Sequence, residues 1–148
     1  MRLVIQRVLR ASVTVGGSVA GAIQHGMVVL AAVEKGDSVA EIATCVKKVS
    51  ELRMFSDEAG KMNLSVREVG GSVLAISQFT LAATLDRGRR PGFENAEIPA
   101  RAAELYAEFV AALRASGLPV ETGIFGAHMT VVLENDGPVT FIYDTKRS

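Results

Sequence analysis

The polar side chains best suited to chemistry follow directly after a short apolar run. Residues 73–76 have the sequence Val-Leu-Ala-Ile, which is typical of a buried strand, and Ser77, Gln78, Phe79 and Thr80 come next. A buried polar group without a partner costs about 1–3 kcal/mol, so these hydroxyl and amide groups need partners at the strand end. Either the local backbone satisfies them, or they face a pocket in which a ligand does.

The motifs of most familiar enzyme classes are absent from the sequence. One cysteine and two separated histidines, His25 and His128, do not match the spacing of a metal site, so neither a metal nor another cofactor is expected. Neither a phosphate-binding loop nor a nucleophile elbow is present. Ser77 and His128 could meet a carboxylate only through the fold, and nothing in the sequence favours that arrangement. An enzyme of this kind would rely on positioned backbone amides, hydroxyl and amide side chains, and groups of its substrate.

A basic loop follows the polar segment. Arg87, Arg89 and Arg90 lie within four positions, broken by one glycine and followed by Pro-Gly, and the loop has neither helical nor strand periodicity. A solvated charged surface is one interpretation. Contact with phosphate is the other, because guanidinium groups match phosphate oxygens.

The remaining pattern predicts an α+β fold with an antiparallel, hairpin-rich, barrel-like sheet and two amphipathic helices. Predicted strands share alternating or continuous apolar character and are bounded by turn residues. They cover residues 3–9, 11–15, 18–23, 27–33, 53–56, 73–76, 120–124, 129–134 and 139–143. A bend is expected between the first two, and the sequence Asn-Asp-Gly-Pro at 135–138 predicts a turn between the last two.

Both helices have clear start signals. Ser38 and Glu41 form a capping-box pattern before the first, and Pro99 is a good first residue for the second. Cys45 lies on or beside the apolar stripe of the first helix, which favours core packing over a reactive thiol. Tyr106 and Phe109 lie on the stripe of the second helix, which favours a core role over ligand contact.

Length and composition narrow the setting of the protein. The 148 residues are most simply one domain, residues 1–148, and apolar residues are abundant enough for a core without disulfides. No apolar stretch is long enough to span a bilayer, and a single cysteine is typical of a reducing cytoplasm. Because the net charge is zero, a nucleic acid would have to be bound by a local patch.

Two motifs, taken together, resemble the D-aminoacyl-tRNA deacylase family of the metal-independent bacterial and eukaryotic type. They are Ser-Gln-Phe-Thr-Leu at residues 77–81 and Asn-Asp-Gly-Pro-Val-Thr at residues 135–140. Supporting matches lie at residues 6–8, 11–13, 70–71, 90–91, 93, 122–127 and 129, whereas Gly92 and His128 depart from the family pattern. The resemblance therefore covers nearly the whole chain.

The resemblance implies a homodimer that hydrolyses the ester between a D-amino acid and the terminal adenosine of tRNA, in chiral proofreading during translation. It implies that Gly137 and Pro138 are joined by a cis peptide bond and enter the pocket of the partner subunit. Their carbonyl oxygens would then block the side chain of an L-amino acid and admit the D form. Glycine has no side chain to collide, so glycine mischarged on the alanine tRNA should also be released.

Site roles follow from the same resemblance, residue by residue. Ser77, Gln78, Phe79 and Thr80 correspond to the pocket that holds the aminoacyl group and adenosine, with Gln78 near the scissile carbonyl. Two further roles are implied: Arg7 orients the carbonyls of Gly137 and Pro138, and Met129 forms a pocket wall.

The chemical step has two interpretations within that family. Thr80 has been considered as a nucleophile, but the sequence provides no evident base for it. Assistance by the 2′-hydroxyl of the terminal ribose is the favoured mechanism, with the protein supplying orientation. In this scheme Arg87, Arg89 and Arg90 are the predicted contacts to tRNA phosphates.

Two rival functions remain open from the sequence. The pocket and basic loop would also suit a non-catalytic binder of nucleic-acid ends. Alternatively, both motifs are only turns in a dimeric interaction module. The esterase differs from both in cleaving D-aminoacyl-tRNA and sparing the L form.

Overall fold

A computed structural model of the chain describes residues 1–86 and 88–147. This part of the chain forms strands β1 to β8, helices α1 and α2, and a short 3₁₀ turn. In chain order they are β1 (Arg2–Val15), β2 (Ser18–Ile23), β3 (Gly26–Ala32), α1 (Val39–Glu51), β4 (Phe55–Ser56), β5 (Met62–Leu64), β6 (Ser72–Ser77), the 3₁₀ turn (Phe79–Ala82), α2 (Pro99–Ala115), β7 (Val120–Thr122) and β8 (Thr130–Asp144). The predicted α+β class with two amphipathic helices is confirmed.

Strand β1 is the centre of the sheet and does not break at the expected bend. Its first half pairs antiparallel with β3 and its second half with β2, while β8 pairs along its other edge. One continuous strand therefore replaces the two that were predicted. The sheet curls until β2 approaches β7, where a methyl group on Gly21 would lie 2.6 Å from the carbonyl oxygen of Thr122. The result is the nearly closed, barrel-like sheet that the pattern predicts.

The sheet is mixed and not wholly antiparallel. β6 pairs parallel with β3 on one side and with β7 on the other. The chain between β3 and β6 contains α1, and the chain between β6 and β7 contains α2. Such long crossover connections return a strand in the same direction, whereas tight turns reverse it. The expected antiparallel pairing therefore holds around β1 but not around β6.

The two helices begin where the sequence indicates. Ser38 caps α1: its Oγ accepts a hydrogen bond from the Ala40 amide (3.2 Å), and its own amide donates to Glu41 Oε2 (2.7 Å). Ser38 Oγ also donates to Glu41 Oε2 (2.7 Å), and this bond, together with the one from the Ser38 amide, lowers the pKa of Glu41. Pro99 is the first residue of α2. Within the described chain, neither helix has the length and apolar character that a membrane span requires.

The helices pack on one face of the sheet and form the larger apolar core there. Leu105 and Phe109 of α2 are fully buried, and Cys45 of α1 is buried among them. Burial raises the pKa of the Cys45 thiol to about 12, so the core interpretation of this residue is confirmed. Tyr106 and Phe109 are buried too, which confirms their predicted core role.

A second, smaller core lies among the strands and leads to the site. Its buried members include Val13, Val28, Leu74 and Ile76, and Met129 packs against it. β3 and β6 are consequently covered on both faces, as their continuous apolar sequences indicate. Ile76, near the end of β6, joins this core to the polar segment that follows.

Candidate active site

A cavity of about 410 Å³ opens at the carboxyl end of β6. Its walls come from the end of β6, the start of the 3₁₀ turn, the start of α2, the segment before β8 and the first residues of β8. The lining residues are Ile76, Ser77, Gln78, Phe79, Glu97, Pro99, Ala102, Phe125, Gly126, Ala127, His128, Met129 and Val131. The predicted residues Ser77, Gln78, Phe79 and Met129 thus lie together on one cavity.

The backbone of the polar segment is fixed by neighbouring strands. The Gln78 amide donates a hydrogen bond to the Ala31 carbonyl at the end of β3 (2.8 Å). Arg2 Nη1 donates to the carbonyl of Leu81 in the 3₁₀ turn (2.7 Å). Because both ends of this short segment are tied to the sheet, Ser77 and Gln78 are presented to the cavity in a defined orientation.

Thr80 lies beside the cavity and not in its lining. Its side chain is exposed, and its Oγ1 accepts a hydrogen bond from Gln78 Nε2 (2.5 Å). An amide side chain cannot take a proton from a hydroxyl, so Gln78 cannot activate Thr80 as a nucleophile. The contact instead holds the Gln78 amide in place.

Aromatic rings form much of the apolar wall. Phe79 is 55% exposed and lies 5.1 Å from the ring of Phe93. Phe125 lies 5.9 Å from the ring of Tyr106, whose hydroxyl donates to the Ala75 carbonyl in β6 (2.9 Å). Burial raises the pKa of Tyr106 to about 12. Exposed aromatic faces of this kind are surfaces on which nucleobases stack.

Met129 reaches the cavity because its neighbour Gly123 lacks a side chain. A Cβ atom on Gly123 would overlap the Met129 sulfur and lie 3.4 Å from Ile76 Cδ1. The predicted pocket wall therefore depends on a glycine in the segment after β7.

The second motif is a corner within β8 and not a turn between two strands. Gln6 pairs with Thr140 and Val8 with Asn135, so residues 136–139 stand opposite Arg7 alone. The prediction of a turn at residues 135–138 is therefore wrong. Both flanks of the motif pair with the same strand, and the extra residues bulge outward.

Local hydrogen bonds hold this corner in shape. Asn135 Oδ1 accepts from the Val139 amide (2.7 Å), and Asn135 Nδ2 donates to the Val139 carbonyl (3.2 Å). The peptide bond between Gly137 and Pro138 is cis, and both residues are exposed. Gly137 has φ +136°, a conformation that side chains disfavour. The corner thus lies at the surface of the chain.

Arg7 supports the corner from beneath. It is 8% exposed; Nε donates to the Asp136 carbonyl (3.0 Å) and Nη1 to the Met54 carbonyl (2.7 Å). The carbonyl it binds precedes the Gly137–Pro138 pair whose carbonyls it was expected to orient. Neither Arg7 nor the pair lines the cavity of the same chain.

The basic loop is only partly described. Arg87 lies outside the described residues, and Arg89 is exposed. Arg90 lines a second cavity of about 470 Å³ that also contains the carboxylates of Asp86 and Glu94. The surroundings of Arg90 are therefore mixed in charge.

Sequence reasoning missed Glu97 altogether, and it did not assign Phe125 or His128 to the pocket, although it had weighed His128 as a partner of Ser77. Glu97 lies two residues before the start of α2, and residues 125–128 directly precede Met129. Proximity to Met129 was a usable signal for the second group, whereas Glu97 is brought in only by the packing of α2. Within residues 1–86 and 88–147, no group of three or more His, Cys, Asp or Glu side chains is arranged to bind a metal ion.

Known proteins that resemble this chain over nearly its whole length belong to one family. A family model described as D-Tyr-tRNA(Tyr) deacylase matches residues 4–144. A protein of Geobacter sulfurreducens named D-aminoacyl-tRNA deacylase is 56% identical over 146 residues, covering 99% of this chain and 96% of that protein. A protein of the same name from Deinococcus radiodurans is 55% identical over 144 residues, covering 97% and 99%.

Solved structures match the fold of nearly the whole chain. The structure of a protein named c-Myc DNA Unwinding Element Binding Protein superposes with a TM-score of 0.93 at 40% identity, covering 98% of this chain and 99% of the other. The structure of a probable eukaryotic D-amino acid tRNA deacylase has a TM-score of 0.83 at 15% identity, covering 96% and 97%, and supports the fold alone. With the model match and the relatives above, the chain belongs to the D-Tyr-tRNA(Tyr) deacylase family of hydrolases.

Proposed function

We propose that the protein hydrolyses the ester that joins a D-amino acid to the terminal adenosine of tRNA. The observation that carries this proposal is the cavity in which Ser77, Gln78, Phe79 and Met129 meet. Relatives at about 55% identity over nearly the whole chain are named for the same activity. The setting is the cytoplasm, where the reaction removes wrongly charged tRNA before translation uses it.

The cavity suits an aminoacyl-adenosine end. Its volume of about 410 Å³ is in the usual range for small-ligand sites. Apolar groups such as Ile76, Phe125 and Met129 would pack against the amino-acid side chain, and the exposed ring of Phe79 would stack on adenine. Ser77 and Gln78 would hydrogen-bond the polar ester and ribose between these two apolar ends.

The chemistry needs orientation more than a protein nucleophile. Gln78, held by Thr80, and nearby backbone amides would position the scissile carbonyl. A water oxygen attacks the carbonyl carbon, and the bond from that carbon to the ribose 3′-oxygen breaks. The 2′-hydroxyl of the ribose relays the proton from the water to the leaving 3′-oxygen, which releases tRNA and the D-amino acid.

Chiral selection is assigned to the Gly137–Pro138 corner of a second subunit. The corner is exposed, is braced by Asn135 and Arg7, and is absent from the cavity of its own chain. Inserted into a partner's cavity, its carbonyl oxygens would occupy the space that an L side chain needs. Exclusion by a rigid backbone discriminates more strongly than loss of a favourable contact, which is worth about 1–3 kcal/mol. Glycyl-tRNA should pass this filter.

The homodimer that this scheme requires is supported by the surface of β8. In the described chain β8 pairs only with β1, so its other edge is open. Large apolar side chains around it are exposed: Val132 (59%), Phe141 (38%), Ile142 (75%) and Leu9 on β1 (54%). A long open edge strand with exposed apolar groups favours association with a second copy.

Contact with the tRNA backbone is assigned to the basic loop. Arg89 and Arg90 are exposed, and no carboxylate in the described chain lies within ion-pair distance of either. Arg87 is included in this proposal from its position in the sequence. Guanidinium groups in such a loop would bind phosphates without reading the base sequence.

The direct experiment compares three substrates of the purified protein: D-tyrosyl-tRNA, L-tyrosyl-tRNA and alanine tRNA mischarged with glycine. The D-tyrosyl and glycyl esters should be cleaved far faster than their spontaneous hydrolysis, and the L-tyrosyl ester should not. Equal rates for the two tyrosyl esters, or none for the D form, would contradict the proposal.

A second candidate function is binding to nucleic-acid ends without catalysis. It is favoured by one observation: the relative whose structure is 40% identical is named as a binder of a DNA unwinding element. In that case the protein would bind the ends of tRNA or DNA but would not hydrolyse D-tyrosyl-tRNA.

A further inference from the structure

Glu97 occupies a defined place on the cavity wall that the proposed reaction does not use. Its backbone amide donates to the Val33 carbonyl just after β3 (3.1 Å). Its Oε1 accepts a hydrogen bond from the Ile98 amide at the start of α2 (2.8 Å). The residue is half-buried and lines the cavity together with Gln78 and Phe79. The carboxylate is therefore fixed by the fold at the site of the substrate.

The charge of Glu97 is uncompensated in the described chain. It is the acidic member of the cavity lining, and the other ionisable side chain there, His128, supplies no negative charge. No Lys, Arg or His side chain of residues 1–86 and 88–147 lies within ion-pair distance of it. Its Oε2 accepts no hydrogen bond from that part of the chain. One carboxylate oxygen is thus free for a ligand.

We propose that Glu97 is an ammonium subsite, which binds the free α-ammonium group of the aminoacyl ester. This rests on the proposed function, because that reaction brings an α-ammonium into the cavity. An ammonium has three donors and a positive charge, and the free oxygen of Glu97 offers both an acceptor and the opposite charge. Glu97 acts in binding and takes no part in proton transfer.

The subsite gives the enzyme a selectivity separate from chirality. An aminoacyl ester with a free amine binds through Glu97, whereas an ester whose nitrogen is acylated has lost the charge and gained bulk there. Peptidyl-tRNA and N-acylated aminoacyl-tRNA are esters of this second chemical class. The carboxylate would therefore favour aminoacyl-tRNA over peptidyl-tRNA.

The test uses an uncleavable probe, 3′-deoxy-3′-(D-tyrosylamino)adenosine, and its N-acetyl derivative. Titration calorimetry at pH 7.0 keeps most of the free amine protonated, since an α-amino group ordinarily titrates at about 7.7–8.0. The unsubstituted protein should bind the free amine about ten-fold more tightly than the N-acetyl compound, a difference of about 1.4 kcal/mol. Glu97→Gln keeps the shape of the side chain and should abolish this preference.

Glu108→Gln is the matched control. It removes one negative charge from an exposed position on α2 that is outside the cavity lining, and it should keep the preference. Unchanged affinity of Glu97→Gln for the N-acetyl probe shows that the cavity is intact. The proposal is overturned if Glu97→Gln retains the preference, or if it weakens both probes equally.

Because neither probe can be hydrolysed, this result does not depend on catalysis, which D-tyrosyl-tRNA cleavage tests separately. With that substrate, Glu97→Gln should raise KM about ten-fold and leave kcat nearly unchanged, the pattern of lost ground-state binding. A fall in kcat with KM unchanged would contradict the assignment.

Discussion

Gly123 is the residue that determines whether Met129 can form a wall of the cavity. The variant Gly123→Ala places a methyl group where the Met129 sulfur lies, so the thioether must leave its place on the cavity wall. We expect kcat/KM for D-tyrosyl-tRNA to fall about ten- to a hundred-fold, because small displacements of positioning groups have effects of this size. Steady-state kinetics and the urea midpoint should be measured together. An unchanged kcat/KM in a folded variant would show that Met129 is not a substrate contact.

Substitution of Thr80 distinguishes a threonine nucleophile from assistance by the ribose 2′-hydroxyl. Its described hydrogen bond comes from the Gln78 amide, which cannot remove its proton. Thr80→Ala should therefore lower single-turnover hydrolysis about ten-fold or less, through looser orientation of Gln78. Loss of all turnover with tRNA affinity preserved would identify Thr80 as a nucleophile.

Contiguity in sequence explains which site residues could be predicted. Ser77, Gln78 and Phe79 follow one strand, so a single apolar-to-polar boundary reveals them. Glu97 reaches the same cavity only because α2 packs across the end of β6, and no local pattern encodes that distance. Arg7 was predicted to bind the corner, but which carbonyl it reaches depends on the bulge opposite it.

Element by element, the sequence predicts the type of each element better than the places where strands break or the way they pair. Residues 135–138 have turn chemistry, yet both flanks pair with β1 and the segment becomes a bulge. A turn between two strands and a bulge within one strand have the same sequence pattern, because each interrupts the ladder of hydrogen bonds locally. Likewise, the apolar run of β6 is typical of any buried strand, and only the crossover through α1 makes its pairing with β3 parallel.

The packing of α2 on β6 has a testable pH signature through Tyr106. Burial raises its pKa from 10.0 to about 12, so the folded protein retains the phenolic proton after the unfolded chain has released it. Stability must therefore fall as pH rises from about 10 to 12, by about 2–3 kcal/mol from this group. The variant Tyr106→Phe lacks the titrating group, so its stability should fall by about 2–3 kcal/mol less between pH 10 and 12.

Urea unfolding of both proteins at several pH values between 8 and 12 measures this difference. Other groups that titrate there, such as Cys45, are common to the two proteins and cancel in the comparison. Parallel stability curves would show that the phenol is not desolvated against Ala75.

At the scale of the whole molecule, zero net charge and the exposed apolar side chains of β8 favour self-association. Ile142 is 75% exposed, and Ile142→Lys would place a charge in the proposed interface. We expect sedimentation velocity to show a monomer that cleaves L-tyrosyl-tRNA as well as D-tyrosyl-tRNA, because the cavity no longer receives the Gly137–Pro138 corner.

Val39→Lys is a suitable control for this variant. Val39 is similarly exposed (61%) but begins α1 and is not part of β8. It should sediment and react like the unsubstituted protein. A monomeric Ile142→Lys protein that retains full activity and selectivity would show that one chain carries a complete site.

The central claim, a catalytic site shared between two chains, is tested most directly with mixed dimers of Gln78→Ala and Gly137→Ala subunits carrying different affinity tags. Each homodimer should be defective, the first in its pocket and the second in its corner. In the mixed dimer, the intact pocket of the Gly137→Ala subunit meets the intact corner of its partner, so one complete site forms. The account predicts D-selective hydrolysis at about half the rate of the unsubstituted dimer. A mixed dimer as defective as its parents would contradict it, because a corner that served its own chain would leave no site complete.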